Sequence, residues 1–241
     1  MKHRSGILVC GLLLALESAT TLAGDNTKAL GTSVALASEY AWRGISLSAR
    51  RPSLQASVDY SRPLGNDMTL EAGVWGYSTK YLERPAIWLD MGVYAGLGGP
   101  LAGDWRWGVQ SLKYAYPQAP DWNYLEHSIR LSRAPDKEPG SLGLELGHSR
   151  SSDVFGSGSL GRYFDLDLKL RLPWALELTV HAGKSLYARP ELAYQDFRDW
   201  KLAAGGQWQG FDFEVGWIAT SGDQFGRMGR SRGIASILRT F

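Results

Sequence analysis

The chain has 241 residues, a formal net charge of +2, one cysteine and 12% aromatic residues. This near-neutral charge argues against a general nucleic-acid binder. A single cysteine excludes a disulfide framework, and the length suits one large all-β domain.

The N-terminus has the features of an export signal. Met1–Arg4 is a basic head, an apolar run follows from Gly6 to Ala15, and small residues end at Ala23. The run is too short to span a bilayer as a helix. We therefore predict a signal peptide over residues 1–23, cleaved after Ala23, and one β-barrel domain over residues 24–241.

Segments of alternating apolar and polar residues then follow one another to the C-terminus. In a β-strand, successive side chains lie on opposite faces, so this alternation indicates strands. The clearest is 164–172, where Phe or Leu alternates with Asp, Lys or Arg. The predicted strands are 33–46, 53–61, 68–78, 87–97, 104–114, 122–131, 141–149, 164–172, 174–183, 197–208, 211–219 and 232–241.

The connections between the strands favour one kind of barrel. Alternation alone fits a soluble sandwich, a lipocalin-like barrel or an outer-membrane barrel. Short connections rich in turn formers, such as 63–67, 98–100 and 209–210, alternate with longer polar ones such as 150–161 and 220–230. The strand number is even, and short turns at one rim with long loops at the other are typical of outer-membrane barrels.

Two further features support the prediction of an outer-membrane barrel. Trp and Tyr collect near strand ends, which predicts aromatic girdles that include Tyr40 and Trp42. The chain ends in Phe241, as bacterial outer-membrane barrels commonly do, which predicts recognition by the barrel-assembly machinery. The predicted fold is an all-β, antiparallel up-and-down transmembrane barrel of about 12 strands, located in the bacterial outer membrane.

Several motifs resemble those of one family. The longest block is Ser38–Ser46 (SEYAWRGIS), followed by Pro52–Gln55 and Asp59–Ser61. Further matches are 73–76, 116–117 with 123–126, 183–187 and 196–200. The chain resembles the TorF-type family of porin-like outer-membrane proteins of proteobacteria. That resemblance implies an outer-membrane barrel with a channel and brings neither a substrate nor a catalytic residue.

The inward faces of the predicted strands carry charges of both signs. The candidate pore-lining residues are Glu39, Arg43, Asp59, Glu71, Asp90, Arg106, Glu126, Arg130, Glu145, Asp165, Asp167, Lys169, Arg171, Glu177, Lys201, Asp212 and Glu214. One hypothesis is a narrow pore for small hydrophilic solutes with a mild preference for cations. The other is a closed structural or adhesion barrel in which acids and bases pair across the lumen. Arg43 has two interpretations: it pairs with an inward acid and fixes a bend at Gly44, or it is a solvated arginine at the rim.

A membrane hydrolase is the third hypothesis. A Ser–His dyad on one strand needs the two residues to share a face. In His127-Ser128 and His148-Ser149 they are adjacent and therefore point to opposite faces, and His181 has no Ser two residues away. His-x-His and His-Glu-x-x-His are absent from the sequence. We therefore predict no enzyme activity, no cofactor and no metal site.

The long loops are rich in bases. They carry Arg50, Arg51, Lys80, Arg84, Arg150, Lys184, Arg189, Arg227 and Arg230. Such a rim fits either contact with lipopolysaccharide phosphates or ordinary solvated loops. The expected partners are membrane lipid, small polar solutes and, under the first interpretation, lipopolysaccharide. Nothing in the sequence marks an oligomer interface.

Overall fold

A computed structural model describes residues 29–241. The predicted signal peptide and the cleavage point after Ala23 lie outside the described residues. The strands are β1 Ala29–Ala37, β2 Ala41–Trp42, β3 Ile45–Ser46, β4 Ser53–Gly65, β5 Met68–Ser78, β6 Leu89–Ala102, β7 Trp105–Ala115, β8 Tyr124–Arg133, β9 Leu142–Ser151, β10 Gly161–Arg171, β11 Glu177–Tyr187, β12 Phe197–Trp208, β13 Phe211–Thr220 and β14 Arg232–Thr240. Short 3₁₀ helices cover Pro120–Trp122, Val154–Gly156, Pro173–Ala175 and Asp223–Met228. None of the helices in residues 29–241 is long and apolar enough to cross a membrane.

Twelve strands form one closed antiparallel barrel. β1 pairs with β4, each strand from β4 to β14 pairs with the next, and β14 returns to β1 with Ser33 opposite Thr240. β2 and β3 pair only with each other. The predicted up-and-down barrel of about 12 strands is therefore confirmed.

The two ends of the barrel differ. At one end, tight turns join the strands. Asn66 and Asp67 take φ of 50° and 56°, and Gln209 and Gly210 take φ of 50° and 79°. This left-handed backbone suits two-residue hairpin turns, because its twist matches that of the strands. The predicted turn at 98–100 is wrong, since β6 continues to Ala102 and turns at Gly103. We call this the turn end, and we call the opposite end, with its longer connections, the loop end.

The outer surface of the barrel is apolar. Leu30, Leu54 and Val215 are 72%, 58% and 62% exposed, and the register places them all on the outward face. This is the apolar band that a transmembrane barrel presents to lipid. No Asp or Glu occupies an outward position of the barrel strands within residues 29–241. The outward Lys, Arg and His residues of the barrel strands are Arg62, Lys113, His127, Arg133, His148, Arg150, Arg162, Lys184, Arg198 and Arg239.

The predicted first strand, 33–46, is wrong in its second half. β1 ends at Ala37, and the chain then folds into the barrel interior instead of continuing along the wall. Tyr40 and Trp42, predicted to face lipid, are each 2% exposed inside the barrel. The alternation continues through this segment because β2 and β3 are themselves extended. A turn at Arg43 and Gly44, with φ of 48° and 76°, separates them.

Candidate functional site

The barrel interior is polar and charged. All candidate pore-lining residues that lie on barrel strands, from Asp59 to Glu214, face inward. This follows from the alternation along each strand and from the register between neighbouring strands. Glu39 and Arg43 are also inside, but they belong to the segment that crosses the interior and not to the wall. Acids outnumber Lys and Arg on the wall, as expected from the sequence.

Residues 38–51 form a hairpin that fills the loop end of the lumen. We call this segment the plug. All of residues 39–49 are buried. The Leu47 N–H donates to the Tyr40 carbonyl at 2.8 Å, which closes the hairpin, and the Ser48 hydroxyl accepts from the Tyr40 N–H at 2.9 Å. β2 and β3 pair only with each other, so the plug adds no strand to the wall. Backbone hydrogen bonds join its two ends to the neighbouring chain: the Ser38 N–H donates to the Ala235 carbonyl at 2.7 Å, and the Lys80 N–H donates to the Leu47 carbonyl at 2.9 Å.

The tip of the plug is anchored through Arg43. Its Nη2 donates to Glu126 Oε2 of β8 at 2.7 Å, and both side chains are nearly fully buried. The guanidinium also lies over the rings of Trp42 and of Tyr163 in β10, 4.4 Å and 4.1 Å from their centroids. The Arg43 side chain is thus held both by a charge-assisted hydrogen bond and by cation–π contacts. The predicted pairing of Arg43 with an inward acid is present in the structure.

Further contacts join the plug to the wall. Arg232 of β14 forms an ion pair with Glu39 at the base of the plug, and its Nη1 donates to the Gly44 carbonyl at the tip at 3.1 Å. The Tyr40 hydroxyl donates to Asp90 of β6 at 3.2 Å. Together with Arg43, these contacts connect the plug to strands on opposite sides of the barrel, so it lies across the lumen.

Aromatic side chains from several loops cover the plug. Trp42 packs edge-on against Phe155, with centroids 5.4 Å apart. Tyr116 packs against Phe155, and Tyr194 against Phe225, at 5.9 Å and 5.3 Å. Burial in this cluster raises the pKa of the Tyr116 hydroxyl well above its ordinary value. The loop end is therefore closed by the plug and by an apolar layer packed on it.

One ion pair at the surface joins two of these loops. Arg84 Nη1 donates to Asp121 Oδ2 at 2.8 Å, and its guanidinium lies 4.6 Å from the Trp122 ring centroid. Both charged side chains are largely exposed. This hydrogen bond lowers the pKa of the Asp121 carboxyl below its ordinary value.

A buried histidine lies within the wall. His181 of β11 has Nδ1 3.0 Å from Asp167 Oδ1 and Nε2 3.0 Å from Asp199 Oδ2. The Tyr163 hydroxyl lies 3.0 Å from His181 Nε2 and donates to Asp199 at 3.1 Å. Both ring nitrogens can donate to carboxylates only when the ring is an imidazolium. The arrangement thus supplies one positive charge between two buried acids.

The predicted site set omits four residues of the polar networks around His181 and Arg232. They are Tyr163, His181, Asp199 and Arg232. Alternation does place them on the inward face, since His181 shares a face with Glu177 and Asp199 with Lys201. Selecting carboxylates, Lys and Arg left out Tyr163 and His181, whereas Asp199 and Arg232 fit that selection and were omitted at the starts of their predicted strands.

The turn end of the interior is more open than the loop end. Asp59, Glu71, Arg106 and Arg130, from β4, β5, β7 and β8, are half-buried near that end. By contrast, Glu177 of β11 is 3% exposed. Several charged inward side chains near the turn end are therefore more accessible to solvent than the residues of the plug, which are buried.

The serine and histidine pairs do not build a dyad in the lumen. His127 and His148 face outward, whereas Ser128 and Ser149 face inward, as expected for adjacent residues. On the outer surface the Ser111 hydroxyl lies 2.8 Å from His127 Nδ1. The other strand neighbour of His127 is Arg150, so no acid orients this imidazole as in a catalytic triad. Within residues 29–241, no group of three or more His, Cys, Asp or Glu side chains is placed to hold a metal ion.

Solved structures of similar fold are outer-membrane proteins. The COG4313 outer membrane channel from Pseudomonas putida F1 aligns with a TM-score of 0.53 and 12% identity, covering 90% of this chain and 96% of that one. The NanC porin aligns with a TM-score of 0.51 and 12% identity, covering 88% and 98%. At this identity the similarity concerns the fold, which is a porin-like transmembrane barrel.

The sequence itself matches one family. No curated protein matches the chain. A family model described as a bacterial protein of unknown function (Gcw_chp) matches residues 22–237, which is nearly the whole barrel and the plug. The chain therefore belongs to the Gcw_chp family of bacterial proteins.

Proposed function

We propose that this protein is an outer-membrane channel for small hydrophilic solutes, held closed at its loop end by the plug. The observation that carries the proposal is the pairing of a charged, partly open lumen at the turn end with a separate hairpin across the loop end. Passage then requires the plug to move or to loosen. The resemblance to TorF-type porin-like proteins and the porin-like fold support the same assignment.

The lumen wall suits polar solutes. Its excess of carboxylates gives the interior a negative potential, so we expect a mild preference for cations. Gln55 of β4 is 3% exposed inside the barrel, and neither atom of its amide hydrogen-bonds to a residue in 29–241. Buried polar groups need partners, and water or a polar solute in the lumen would supply them.

The plug is built as a separable element. It adds no strand to the barrel, so its removal leaves all twelve strands paired. Its side-chain anchors to the wall are Arg43 with Glu126, Arg232 with Glu39 and with the Gly44 carbonyl, and Tyr40 with Asp90. Backbone hydrogen bonds at Ser38 and Leu47 add to them. A rearrangement that breaks these contacts would open the lumen without unfolding the wall.

Planar-bilayer recording tests the channel. The decisive variant replaces residues 39–50 by a short Gly/Ser linker. Its matched control shortens the connection between Arg133 and Leu142, which lies at the turn end and belongs to no wall strand. We expect small or rare unitary steps for the wild type and the control, and frequent larger steps, selective for cations, for the plug variant.

The same recording separates the channel from the closed barrel. In the closed-barrel hypothesis the interior ion pairs seal the lumen by themselves. Absence of unitary steps over many insertions of a correctly folded plug variant would overturn the channel proposal and favour a structural barrel. Heat-modifiable migration in gels verifies the fold of every variant.

We also propose that the protein is not an enzyme. The hydrogen bond between Ser111 and His127 on the lipid-facing surface is the observation that favours the alternative, a lipid hydrolase. Incubation of the refolded barrel with phospholipid and lipopolysaccharide, with Ser111→Ala as control, tests this. Acyl release that Ser111→Ala abolishes would overturn the assignment.

We propose outer-membrane assembly through the C-terminal strand. Phe241 is 70% exposed, and its N–H donates to the Thr32 carbonyl at 2.9 Å, at the seam of β1 and β14. Its ring is exposed, with the Arg239 guanidinium 5.5 Å from its centroid, and is therefore accessible to the assembly machinery. Deletion of Phe241 should lower the amount of folded barrel in outer-membrane fractions, and an unchanged amount would contradict this role.

A further inference from the structure

A row of basic side chains crosses four neighbouring strands on the outer surface at the loop end. Arg150 of β9 lies directly opposite Arg162 of β10, and Lys184 of β11 directly opposite Arg198 of β12. Arg162 and Lys184 are diagonal neighbours, because Lys184 lies opposite Phe164. We call these four residues the basic row.

The basic row is not neutralised by the protein. None of its members forms a salt bridge with a residue in 29–241. The two acids nearest to Arg198 in the sequence are used elsewhere: Asp196 accepts a hydrogen bond from the Tyr187 N–H at 2.9 Å, and Asp199 faces inward and lies 3.0 Å from His181 Nε2. Like charges directly opposite each other on antiparallel strands are destabilising. An anion bound between these side chains would replace their mutual repulsion by attraction to the anion.

The position of the row indicates where the anion comes from. Next to it, one step toward the turn end, the outward face carries Phe164 and Trp200. Below these lies the apolar band. Aromatic rings mark the level of the headgroups in membrane barrels, so the row lies at or just beyond the headgroups of the leaflet on the loop side.

We propose that the basic row is a binding site for the phosphate groups of a lipid of the outer leaflet, with the lipid A part of lipopolysaccharide as its occupant. Arginine holds phosphate through paired hydrogen bonds, and adjacent strands place arginine heads within reach of one phosphate. Phe164 and Trp200 would pack against the acyl chains below. The inference rests on the outer-membrane placement proposed above.

The test measures lipid binding by the refolded full-length barrel in detergent, by native mass spectrometry. The probes are diphosphoryl lipid A, the same lipid A without its phosphates, and inorganic phosphate. The test variant is Arg150→Gln with Arg162→Gln. Its matched control is Arg62→Gln with Arg239→Gln, which removes two outward arginines at the turn end.

We expect diphosphoryl lipid A to bind the wild type and the control equally and the test variant roughly 30-fold more weakly, on the usual contribution of a basic residue near an anionic membrane surface. Dephosphorylated lipid A should bind all three weakly. Equal binding of lipid A to both double variants, or equal binding of the two lipids, would overturn the proposal. Tight binding of inorganic phosphate that is lost in the test variant would assign the site to free phosphate and would also overturn it.

The measurement needs no conductance, so its failure is distinct from failure of the channel. Folding of the mature chain as a monomer in buffer without detergent would overturn the membrane placement itself. A barrel that requires detergent but does not discriminate between the two lipids would overturn only the lipid site.

Discussion

Arg43, at the tip of the plug, lies 2.7 Å from Glu126 in the barrel wall, with both charges nearly removed from solvent. The two residues are 83 positions apart in the chain, and their contact joins an N-terminal hairpin to the opposite side of the barrel. Removing one member of such a pair leaves the other charge buried without compensation. The stability of the closed state should therefore depend strongly on either residue.

Arg43→Ala should lower the free energy of unfolding by about 3–5 kcal/mol, because Glu126 is left as an uncompensated buried charge. The matched control is Arg84→Ala. Arg84 also combines a salt bridge with an aromatic contact, but it is exposed, and its loss should cost about 0–1 kcal/mol. Urea titration in lipid vesicles measures both. Equal losses of unfolding free energy in the two variants would show that the burial of Arg43 adds nothing to the stabilisation by its ion pair.

Gly44→Ala should destabilise the plug more than Gly210→Ala destabilises its turn. Both glycines have similar left-handed φ, 76° and 79°, so the intrinsic penalty of about 1–2 kcal/mol is shared. A Cβ at Gly44 would lie 2.9 Å from the Ala219 carbonyl oxygen, whereas one at Gly210 meets nothing within 4 Å. The same urea titration measures the two variants. Gly44→Ala should also raise the frequency of channel openings, and identical behaviour of the two variants would contradict the tight fit of the tip.

His181→Phe should destabilise the barrel by about 3–5 kcal/mol, since Asp167 and Asp199 lose the positive charge between them. His148→Phe is the control. His148 is on the outward face and stacks on Phe164 with centroids 4.4 Å apart, a contact that Phe can keep. Thermal unfolding of the two variants, followed by heat-modifiable migration, distinguishes the two positions. A tolerated His181→Phe would contradict the role of His181 as the positive charge between the two aspartates.

Leu168→Arg should test the orientation of the barrel in lipid. Leu168 is outward-facing in the middle of β10, where an arginine facing the bilayer midplane costs about 2–4 kcal/mol. Leu30→Arg is the control, because Leu30 is outward-facing at the start of β1 near the rim, where the cost falls to about 0–1 kcal/mol. The difference in unfolding free energy between the two variants should be seen in lipid vesicles and should be smaller in detergent micelles. Equal costs in vesicles would argue against a bilayer around β10.

The inward and outward faces of the barrel wall can be predicted from the sequence, because side chains alternate between the two faces with a period of two residues. Once Leu168 and Lys169 are assigned to opposite faces, every other position of β10 follows, and the register with β9 and β11 keeps each face uniform. For this reason the inward positions of the wall were predictable residue by residue.

The plug was not predictable in the same way. Its two arms are extended and continue the alternation of β1, so Tyr40 and Trp42 resemble residues of a long strand. Inside a lumen both faces of a hairpin are buried, and no polar face marks its position. The distinguishing feature is the turn at Arg43-Gly44, which requires left-handed backbone. The partners of Arg43 and His181 lie on strands far away in sequence, which alternation does not reveal.

The basic outer face has a consequence for how copies of the protein meet in the plane of the membrane. Two barrels that approach each other through β9–β12 would bring unneutralised arginines together without a carboxylate on either side to receive them. Direct self-association through this sector is therefore electrostatically opposed. Neighbouring copies would be separated there by a shell of anionic lipid, which would set their spacing.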